Sequence, residues 1–332
     1  MAAATTEGQR VTAMTRHRST FGIYPGSAVG DAAGPPDRPG RINQALDQLQ
    51  GPAGRPFVVR AYDLYVDPGD TAETGLLETP AGYDRYLGRG RTLDLVVAYH
   101  SRSGDVPGYC AFIEVLIDRQ GDRISTLQVG EEPDITDNPF LDGAYPGITE
   151  ALIEGVHAAK ERTRLRGHRH LKVGCNSSPL IGPSVAFFSD LTRVGGEQFI
   201  TDLDYIGLDF FPDVFRPIPP DRLAPAVQSL LEAHRRDSLG TAGLGHLPII
   251  VTEHGWPTSP GRTRERQAEV LSTVVEVVSR NAEALNLAGY IHHTLRDACS
   301  DDPGLMCPQA RLPHLPKSDR RPLATISRAL SG

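Results

Sequence analysis

Two acidic segments, far apart in the chain, carry the residue types best able to do chemistry. "TLQVGEEPD" brings an apolar run to Glu131 and Glu132 just before Pro133, and "IIVTEHGWPT" brings another to Glu253 and His254. An apolar run that ends in a carboxylic acid is typical of a buried strand that delivers a side chain to a site at its end.

Two carboxyl groups in one pocket suit the cleavage of a glycosidic bond. One carboxyl with a raised pKa donates a proton to the leaving oxygen, while the other stays ionised and attacks the anomeric carbon or activates water. A carboxyl separation of about 5–5.5 Å predicts a covalent intermediate and retained configuration, and about 6.5–9.5 Å predicts inversion.

Eight short apolar runs must position these acids, and they alternate with longer amphipathic segments. The runs are mostly unbroken by polar residues, as expected for strands buried on both faces. They are Thr20–Tyr24, Pro56–Tyr62, Leu93–His100, Ile124–Glu132, His170–Asn176, Asp204–Phe211, Pro248–His254 and Ala288–Thr294. This alternation predicts an α/β fold, a single (β/α)8 TIM barrel. The competing fold is an open doubly wound sheet, but "GIYPGSAVGD" lacks the GxGxxG turn typical of that fold.

The chain is predicted to form one domain, with the barrel over residues 20–332 after a disordered or extended tail over residues 1–19. The net charge of −7 disfavours binding to nucleic acid or to an anionic membrane. No secretory signal or bilayer-spanning segment is evident, so a cytoplasmic protein is expected. The cysteines are expected to be reduced, although Cys299 and Cys307 are close enough to form a small disulfide loop.

Active sites of such barrels lie at the C-terminal ends of the strands. Besides Glu132 and Glu253, the polar residues predicted to line this end and bind substrate are Arg60, His100, Glu131, Asn176, Asp209, Trp256, His292 and His293. His100, Asn176 and Asp209 are equally compatible with hydrogen bonding at the rim. Trp256 is either a sugar-stacking platform or loop packing. Only one of His292 and His293 can point inward, because neighbours on a strand face opposite sides.

No metal or cofactor is predicted. A metal site could be assembled from His100, His254, His292, Glu253 and Asp297, but barrel amidohydrolases need an HxH motif on the first strand, and "FGIYPG" has no histidine. A Schiff-base aldolase needs a lysine inside the barrel, and Lys172 lies near the beginning of its strand.

The order and context of the two acidic segments resemble the large clan of retaining (β/α)8 glycoside hydrolases. In that clan the acid/base Glu closes strand four before a proline, usually as Asn-Glu-Pro, and the nucleophile Glu closes strand seven. "TEHGWPT" is similar to the strand-seven segment of β-glucanases and galactanases, and "EQFITDLDYIGLDFFPD" to the segment that leads into strand six. The resemblance spans about residues 20 to 295. It implies Glu132 as general acid/base, Glu253 as nucleophile and Arg60 as the charge partner of the nucleophile.

Three positions depart from the pattern of this clan. Glu131 stands where an Asn usually binds the sugar 2-hydroxyl, which leaves both Glu131 and Glu132 open as the acid; Glu132 is preferred because it precedes Pro133. Phe211 stands where a Tyr often donates to the nucleophile, and His292–His293 where a Trp often forms a sugar platform.

The function expected from these features is cofactor-free, retaining hydrolysis of a short oligosaccharide or small-molecule glycoside. An aromatic content of 6% with one Trp disfavours a long polysaccharide cleft. The alternative, motivated by the departures, is a glycosidase-like barrel that no longer hydrolyses glycosides. Such a barrel would bind a ligand or catalyse another acid/base reaction in biosynthesis.

Overall fold

The computed structural model describes residues 19–28, 34–69, 77–180, 186–258 and 261–296. Apart from Ser19, the predicted tail lies outside the described residues, as do Asp297, Cys299 and Cys307. None of the helices in the described ranges combines the length and apolar composition needed to span a bilayer.

Eight parallel strands close into a barrel. They are β1 Thr20–Ile23, β2 Phe57–Val66, β3 Thr92–His100, β4 Ile124–Val129, β5 Lys172–Ser177, β6 Tyr205–Asp209, β7 Ile249–His254 and β8 Leu287–His292. Each strand pairs with the next, and β1 pairs with both β2 and β8. The predicted barrel is therefore confirmed, with a two-residue strand, Glu78–Thr79, added antiparallel to β2.

Six α-helices lie among the described residues. They are α1 Pro39–Gln50, α2 Val106–Gln120, α3 Ile148–Arg166, α4 Phe187–Asp202, α5 Pro220–Ala233 and α6 Arg264–Arg280. Gly167 ends α3 in the left-handed conformation that glycine adopts readily. Between β2 and β3 the described residues form the short strand and two 3₁₀ turns, Tyr83–Tyr86 and Gly88–Gly90, so the strand–helix alternation is interrupted there.

Side chains along β3 alternate between the hydrophobic core and the interior of the barrel. Leu93, Leu95, Val97 and Tyr99 belong to the hydrophobic core, which also includes the buried faces of the helices. Asp94, between two of them, is fully buried and pairs with Arg60 from β2 instead. Alternation along β3 therefore sends its apolar residues to the core beneath the helices and places Asp94 in the barrel interior beside Arg60.

Gly22 lies where β1 passes closest to β2. A Cβ at this position would clash with Val58 Cγ2 and would lie 3.0 Å from the Val58 carbonyl oxygen and 3.2 Å from Ile291 Cγ1. Because backbone and β-branched side chains surround it, the barrel cannot relax cheaply around even a methyl group.

We expect Gly22→Ala to lower the free energy of unfolding by about 1–3 kcal/mol through overpacking, measured by denaturant titration. Gly40→Ala is the matched control, because no heavy atom lies within 4 Å of its added Cβ on α1. Equal stability losses in the two variants would contradict this account of the barrel closure.

Candidate active site

Arg60 is the central cation of the barrel interior and is fully buried. Its Nη1 donates to Asp94 Oδ2 at 2.8 Å, and both Nη atoms lie 3.2 Å from Gln128 Oε1. Nη2 also donates to Glu131 Oε2 at 3.3 Å, and Nε donates to the Tyr62 hydroxyl at 2.7 Å. Burial opposes the charge, but Tyr62, Asp94 and the acids nearby raise the pKa of Arg60 well above its ordinary value.

Glu253 reaches the interior because β7 is irregular at its end. The pairing of β7 shifts register against both β6 and β8 near this point. Such irregularities let consecutive side chains leave the strict alternation of a strand. Thr252 Oγ1 donates to Asp209 Oδ1 at 2.7 Å, and the next residue, Glu253, accepts a hydrogen bond from the Tyr62 hydroxyl through Oε1.

The surroundings of Glu253 favour its ionised form. Arg60 Nε lies 3.4 Å from Glu253 Oε1, and His293 Nδ1 lies 3.9 Å from Oε2. Burial alone would raise the pKa of Glu253, but His293 when protonated, Arg60 and the hydrogen bond from Tyr62 together lower it. Glu253 is therefore a buried carboxylate at neutral pH.

The turn after β4 presents two neighbouring acids. Glu132 has a φ of +43°, a left-handed conformation that residues other than glycine rarely adopt. The backbone N–H of Glu131 donates to Asp142 Oδ2 at 2.8 Å, and that of Glu132 donates to Asn176 Oδ1 at 3.1 Å. Two buried side chains therefore hold the turn in this conformation.

The carboxyl groups of Glu131, Asp209 and Glu253 crowd together, with one oxygen of each lying within 4.8 Å of the others. Gln128 Nε2 also donates to Glu131 Oε2 at 2.7 Å. Burial, followed by the charges of Asp209 and Glu253, raises the pKa of Glu131 well above its ordinary value. Burial and the charge of Glu253 raise the pKa of Asp209 in the same way. Carboxylates this close cannot all ionise without a counter-charge.

Glu132 shares this electrostatic environment and is 8% exposed. Burial and then the charge of Glu253 raise the pKa of Glu132 to about 8, against the effect of a hydrogen bond with Ser178. Glu132 is thus a protonated acid at neutral pH beside the ionised Glu253. Such a divergence of pKa values is what pairs of catalytic carboxyl groups require.

Asn176 and Asp209 make hydrogen bonds within the site. Asn176 Nδ2 donates to Asp209 Oδ2 at 2.6 Å, while its Oδ1 accepts from the backbone of Glu132. Asn176 thereby joins the turn after β4 to the end of β6.

His293 is the histidine of its pair that faces the acids. Its ring stacks on Tyr24 with centroids 5.2 Å apart, and its Nδ1 points toward Glu253. His292 is 2% exposed, and neither of its ring nitrogens has a hydrogen-bond partner among the described residues. Burial lowers the pKa of His292 to about 4, so it is a neutral packing residue.

His100 and Trp256 make their contacts outside this group of acids. His100 stacks on Tyr145 with centroids 4.4 Å apart, and its Nε2 lies 3.5 Å from Asp142 Oδ1. Trp256 is 5% exposed, and its Nε1 donates to the Asp213 carbonyl at 3.2 Å and carboxylate at 3.1 Å. The buried Trp256 indole therefore packs against the loop that follows β6.

In the part of the chain that the structure describes, Glu131, Asp209 and Glu253 are the one group of acids, histidines or cysteines close enough to hold a metal ion. Carboxylate oxygens suit hard cations such as Mg²⁺ or Ca²⁺. The histidine-containing set weighed from the sequence does not come together among these residues.

Sequence reasoning missed Tyr62, the hydrogen-bond donor to Glu253. The clan pattern places a donor tyrosine on the sixth strand, where Phe211 instead packs against Phe215 with ring centroids 6.3 Å apart. Tyr62 supplies a phenol from β2. The signal was present in the sequence, because Tyr62 follows Arg60 by two residues and therefore lies on the same face of the strand.

Comparison with known proteins identifies a fold but no family. No family model matches the sequence, and no curated protein matches it. Solved structures do match. A family 39 glycoside hydrolase from Bacteroides cellulosilyticus WH2 gives a TM-score of 0.61 at 14% identity, covering 95% of this chain and 65% of that chain. A glucosidase from Croceicoccus marinus gives 0.53 at 16% identity, covering 83% and 63%. The β-1,3-glucanosyltransferase of Rhizomucor miehei gives 0.53 at 15% identity, covering 85% and 88%.

The protein has a glycosidase-like barrel fold. The resemblance noted in the sequence is thereby confirmed at the level of the fold, which is all that such low identities show. The matched region spans less than two thirds of both the family 39 enzyme and the glucosidase.

We expect Tyr62→Phe to raise the pKa of Glu253, because the hydrogen bond from the hydroxyl stabilises the ionised carboxylate. A titration of ¹³C-labelled glutamate side chains by NMR measures this pKa directly. Tyr83→Phe is the control, since it also removes a buried phenol, one that donates to Asp63 at 3.0 Å. An unchanged Glu253 titration in Tyr62→Phe would contradict the proposed electrostatics.

Proposed function

We propose that this protein is a retaining O-glycosidase, with Glu253 as nucleophile and Glu132 as general acid/base. The observation that carries the proposal is a buried Glu253 in contact with Tyr62, Arg60 and His293, near a buried Glu132 whose pKa is raised by burial and by the charge of Glu253. The resemblance of both segments to the retaining clan supports the same assignment and favours retention.

In the first step, Glu253 attacks the anomeric carbon while Glu132 gives its proton to the leaving oxygen. The bond between the anomeric carbon and the leaving oxygen breaks, and the sugar becomes an ester of Glu253. In the second step, ionised Glu132 takes a proton from water, and the resulting oxygen attacks the same carbon. The ester bond breaks, the sugar leaves, and both glutamates return to their starting protonation states.

The remaining residues have supporting roles in this proposal. Arg60 and Tyr62 keep the nucleophile ionised and fix its orientation. Glu131, Asp209 and His293 lie around the nucleophile and are proposed to contact the sugar bound there. Asn176 fixes the backbone of the acid/base through its hydrogen bond to Glu132.

The substrate proposed is a short oligosaccharide or a small-molecule glycoside. The only tryptophan of the chain is buried against Asp213. No tryptophan is therefore exposed to stack on the sugars of an extended polysaccharide, which favours a substrate of one or a few sugar units.

We expect Glu253→Gln and Glu132→Gln each to lower kcat/KM by several orders of magnitude, because each removes one partner of the two-step reaction. The kcat/KM of Glu132→Gln is expected to be closest to that of the wild type on glycosides with a 2,4-dinitrophenolate leaving group, because this group leaves without a proton. Glu161→Gln makes the same chemical change at an exposed position on α3 and serves as the control, with kcat/KM expected to equal that of the wild type. A Glu253→Gln variant with wild-type turnover would rule the assignment out.

Trapping provides the direct test of the covalent intermediate. Activated 5-fluoro glycosyl fluorides, which keep the substituent on carbon 2, are incubated with the protein and its intact mass is measured. A single added sugar that maps to Glu253 after digestion is expected. No adduct across a panel of sugars, together with no hydrolysis, would favour the alternative of a barrel that binds a ligand or performs other acid/base chemistry.

The pH profile of kcat/KM should be bell-shaped. Activity is lost at low pH as Glu253 gains a proton, and it falls about tenfold per pH unit above a pKa of about 8 as Glu132 loses one. In Glu132→Gln, assayed with the 2,4-dinitrophenyl substrate, the alkaline limb is expected to disappear. An alkaline limb that persists unchanged in this variant would show that another group supplies the proton.

A further inference from the structure

The proposed sugar pocket holds more acid than base. Five buried or nearly buried carboxyl groups surround one guanidinium, that of Arg60: Asp94, Glu131, Glu132, Asp209 and Glu253. The shortest ion pair of Arg60, at 2.8 Å, is with Asp94, on the side away from Glu253. Glu131 and Asp209 therefore share a single cation with the nucleophile.

His293 does not correct this imbalance. It is 8% exposed, and burial lowers its pKa more than the charge of Glu253 raises it, so a positive charge on the ring is disfavoured. Its Nδ1 has no hydrogen-bond partner among the described residues and faces Glu253 Oε2 at 3.9 Å. A buried polar nitrogen aimed into a pocket in this way is costly unless a ligand group pairs with it. The unpaired nitrogen therefore favours a polar ligand, and the excess of acids favours a ligand with a positive charge.

The spacing of the acids matches an ammonium group. Three oxygens that lie within 4.8 Å of one another share a point about 2.8 Å from each, which is an ordinary N⁺–H···O⁻ distance. A divalent metal, whose oxygen ligands lie at about 2.0–2.6 Å, is the competing occupant of this group of acids. Near the guanidinium of Arg60, which contacts both Glu131 and Glu253, a divalent ion would be repelled about twice as strongly as a singly charged ammonium.

We propose that the sugar recognised here is a 2-amino sugar with a free protonated amine, whose ammonium lies between Glu131, Asp209 and Glu253. This inference rests on the proposed function. Glu253 attacks the anomeric carbon, and the substituent on carbon 2 is bonded next to it. Because Glu131 and Asp209 closely flank Glu253, that substituent is the one they reach, and a hydroxyl elsewhere on the ring pairs with His293 Nδ1.

The test compares 4-methylumbelliferyl glycosides of glucosamine, glucose and N-acetylglucosamine, each as both anomers, with wild-type protein in the presence of EDTA. We expect kcat/KM for one glucosaminide anomer to exceed that of the matching glucoside by about tenfold or more, because charge-assisted hydrogen bonds replace neutral ones. The N-acetyl substrate is expected to be the poorest, since acetylation removes the charge and adds bulk.

Glu131→Gln is the matched variant, because glutamine keeps the shape and an oxygen to accept from Gln128 and Arg60 while losing the negative charge. We expect the glucosaminide-to-glucoside ratio of kcat/KM to fall about tenfold or more. Glu161→Gln on α3 makes the same chemical change at the surface and should leave the ratio as it is in wild type. Should Glu131→Gln fail to fold, inhibition of the wild-type protein by free glucosamine and by glucose gives the same comparison.

The outcomes separate this inference from the proposed function. Glucoside hydrolysis equal to or faster than glucosaminide hydrolysis overturns the amino-sugar inference and leaves the glycosidase proposal standing. If no glycoside is hydrolysed or trapped, the glycosidase proposal fails, and calorimetry of glucosamine against glucose at pH 6 decides the pocket's ligand. Equal or absent binding of both sugars then overturns the inference. Tight binding of Mg²⁺, Mn²⁺ or Ca²⁺ that blocks glucosamine also overturns it, in favour of a metal.

Discussion

The buried guanidinium of Arg60 is the interaction on which the site depends. A charge without access to water is tolerated only where ionic and hydrogen-bonding partners replace hydration. Asp94, itself fully buried, supplies the counter-charge at 2.8 Å, and Gln128 and Tyr62 take up the remaining donors. The same guanidinium that is stabilised from below by β3 and β4 is thereby aimed at Glu253. Removing Arg60 would leave Asp94 as an uncompensated buried charge.

The acids around Arg60 sort into different protonation states because their counter-charges are unequal. Glu253 has His293 when protonated, the nearby Arg60 Nε and the hydrogen bond from Tyr62, so its pKa falls below the ordinary value. Glu132 has burial and the charge of Glu253, so its pKa rises. Charged and hydrogen-bonding partners placed on one side of several carboxyl groups therefore separate an anion from an acid. No residue in this account needs an unusual chemistry of its own.

The barrel and its principal acids could be predicted from sequence because their signals are local. Apolar runs mark the strands, and an acid at the end of a run marks the rim. The extent of β2 could not be predicted in the same way. The strand was predicted to end at Tyr62 but runs to Val66, since β3 is long enough to pair with it along its whole length. Arg60 is therefore an interior residue rather than a terminal one, and Tyr62 lies one step nearer the rim.

Other features depend on contacts that no local pattern encodes. The register shift of β7, which lets Thr252 and Glu253 both serve the interior, arises from pairing with two neighbouring strands. The burial of Trp256 depends on Asp213 in another loop. Glu131 is recognisable in sequence only as a departure from a pattern, and its closeness to Glu253 appears only once the barrel is closed.

Closure also explains how the site keeps its dimensions. A circuit of hydrogen bonds and adjacent residues runs around the inner rim: Arg60, Tyr62, Glu253, Thr252, Asp209, Asn176, Glu132, Glu131, Gln128 and back to Arg60. Every member lies on a strand or on the turn directly after one. The separation of the two proposed catalytic acids is thus set by the barrel itself, and rigid strands hold such geometry more accurately than loops do. A substitution in the circuit is therefore expected to alter the positions of both acids, because hydrogen bonds link them on one side and the guanidinium of Arg60 links them on the other.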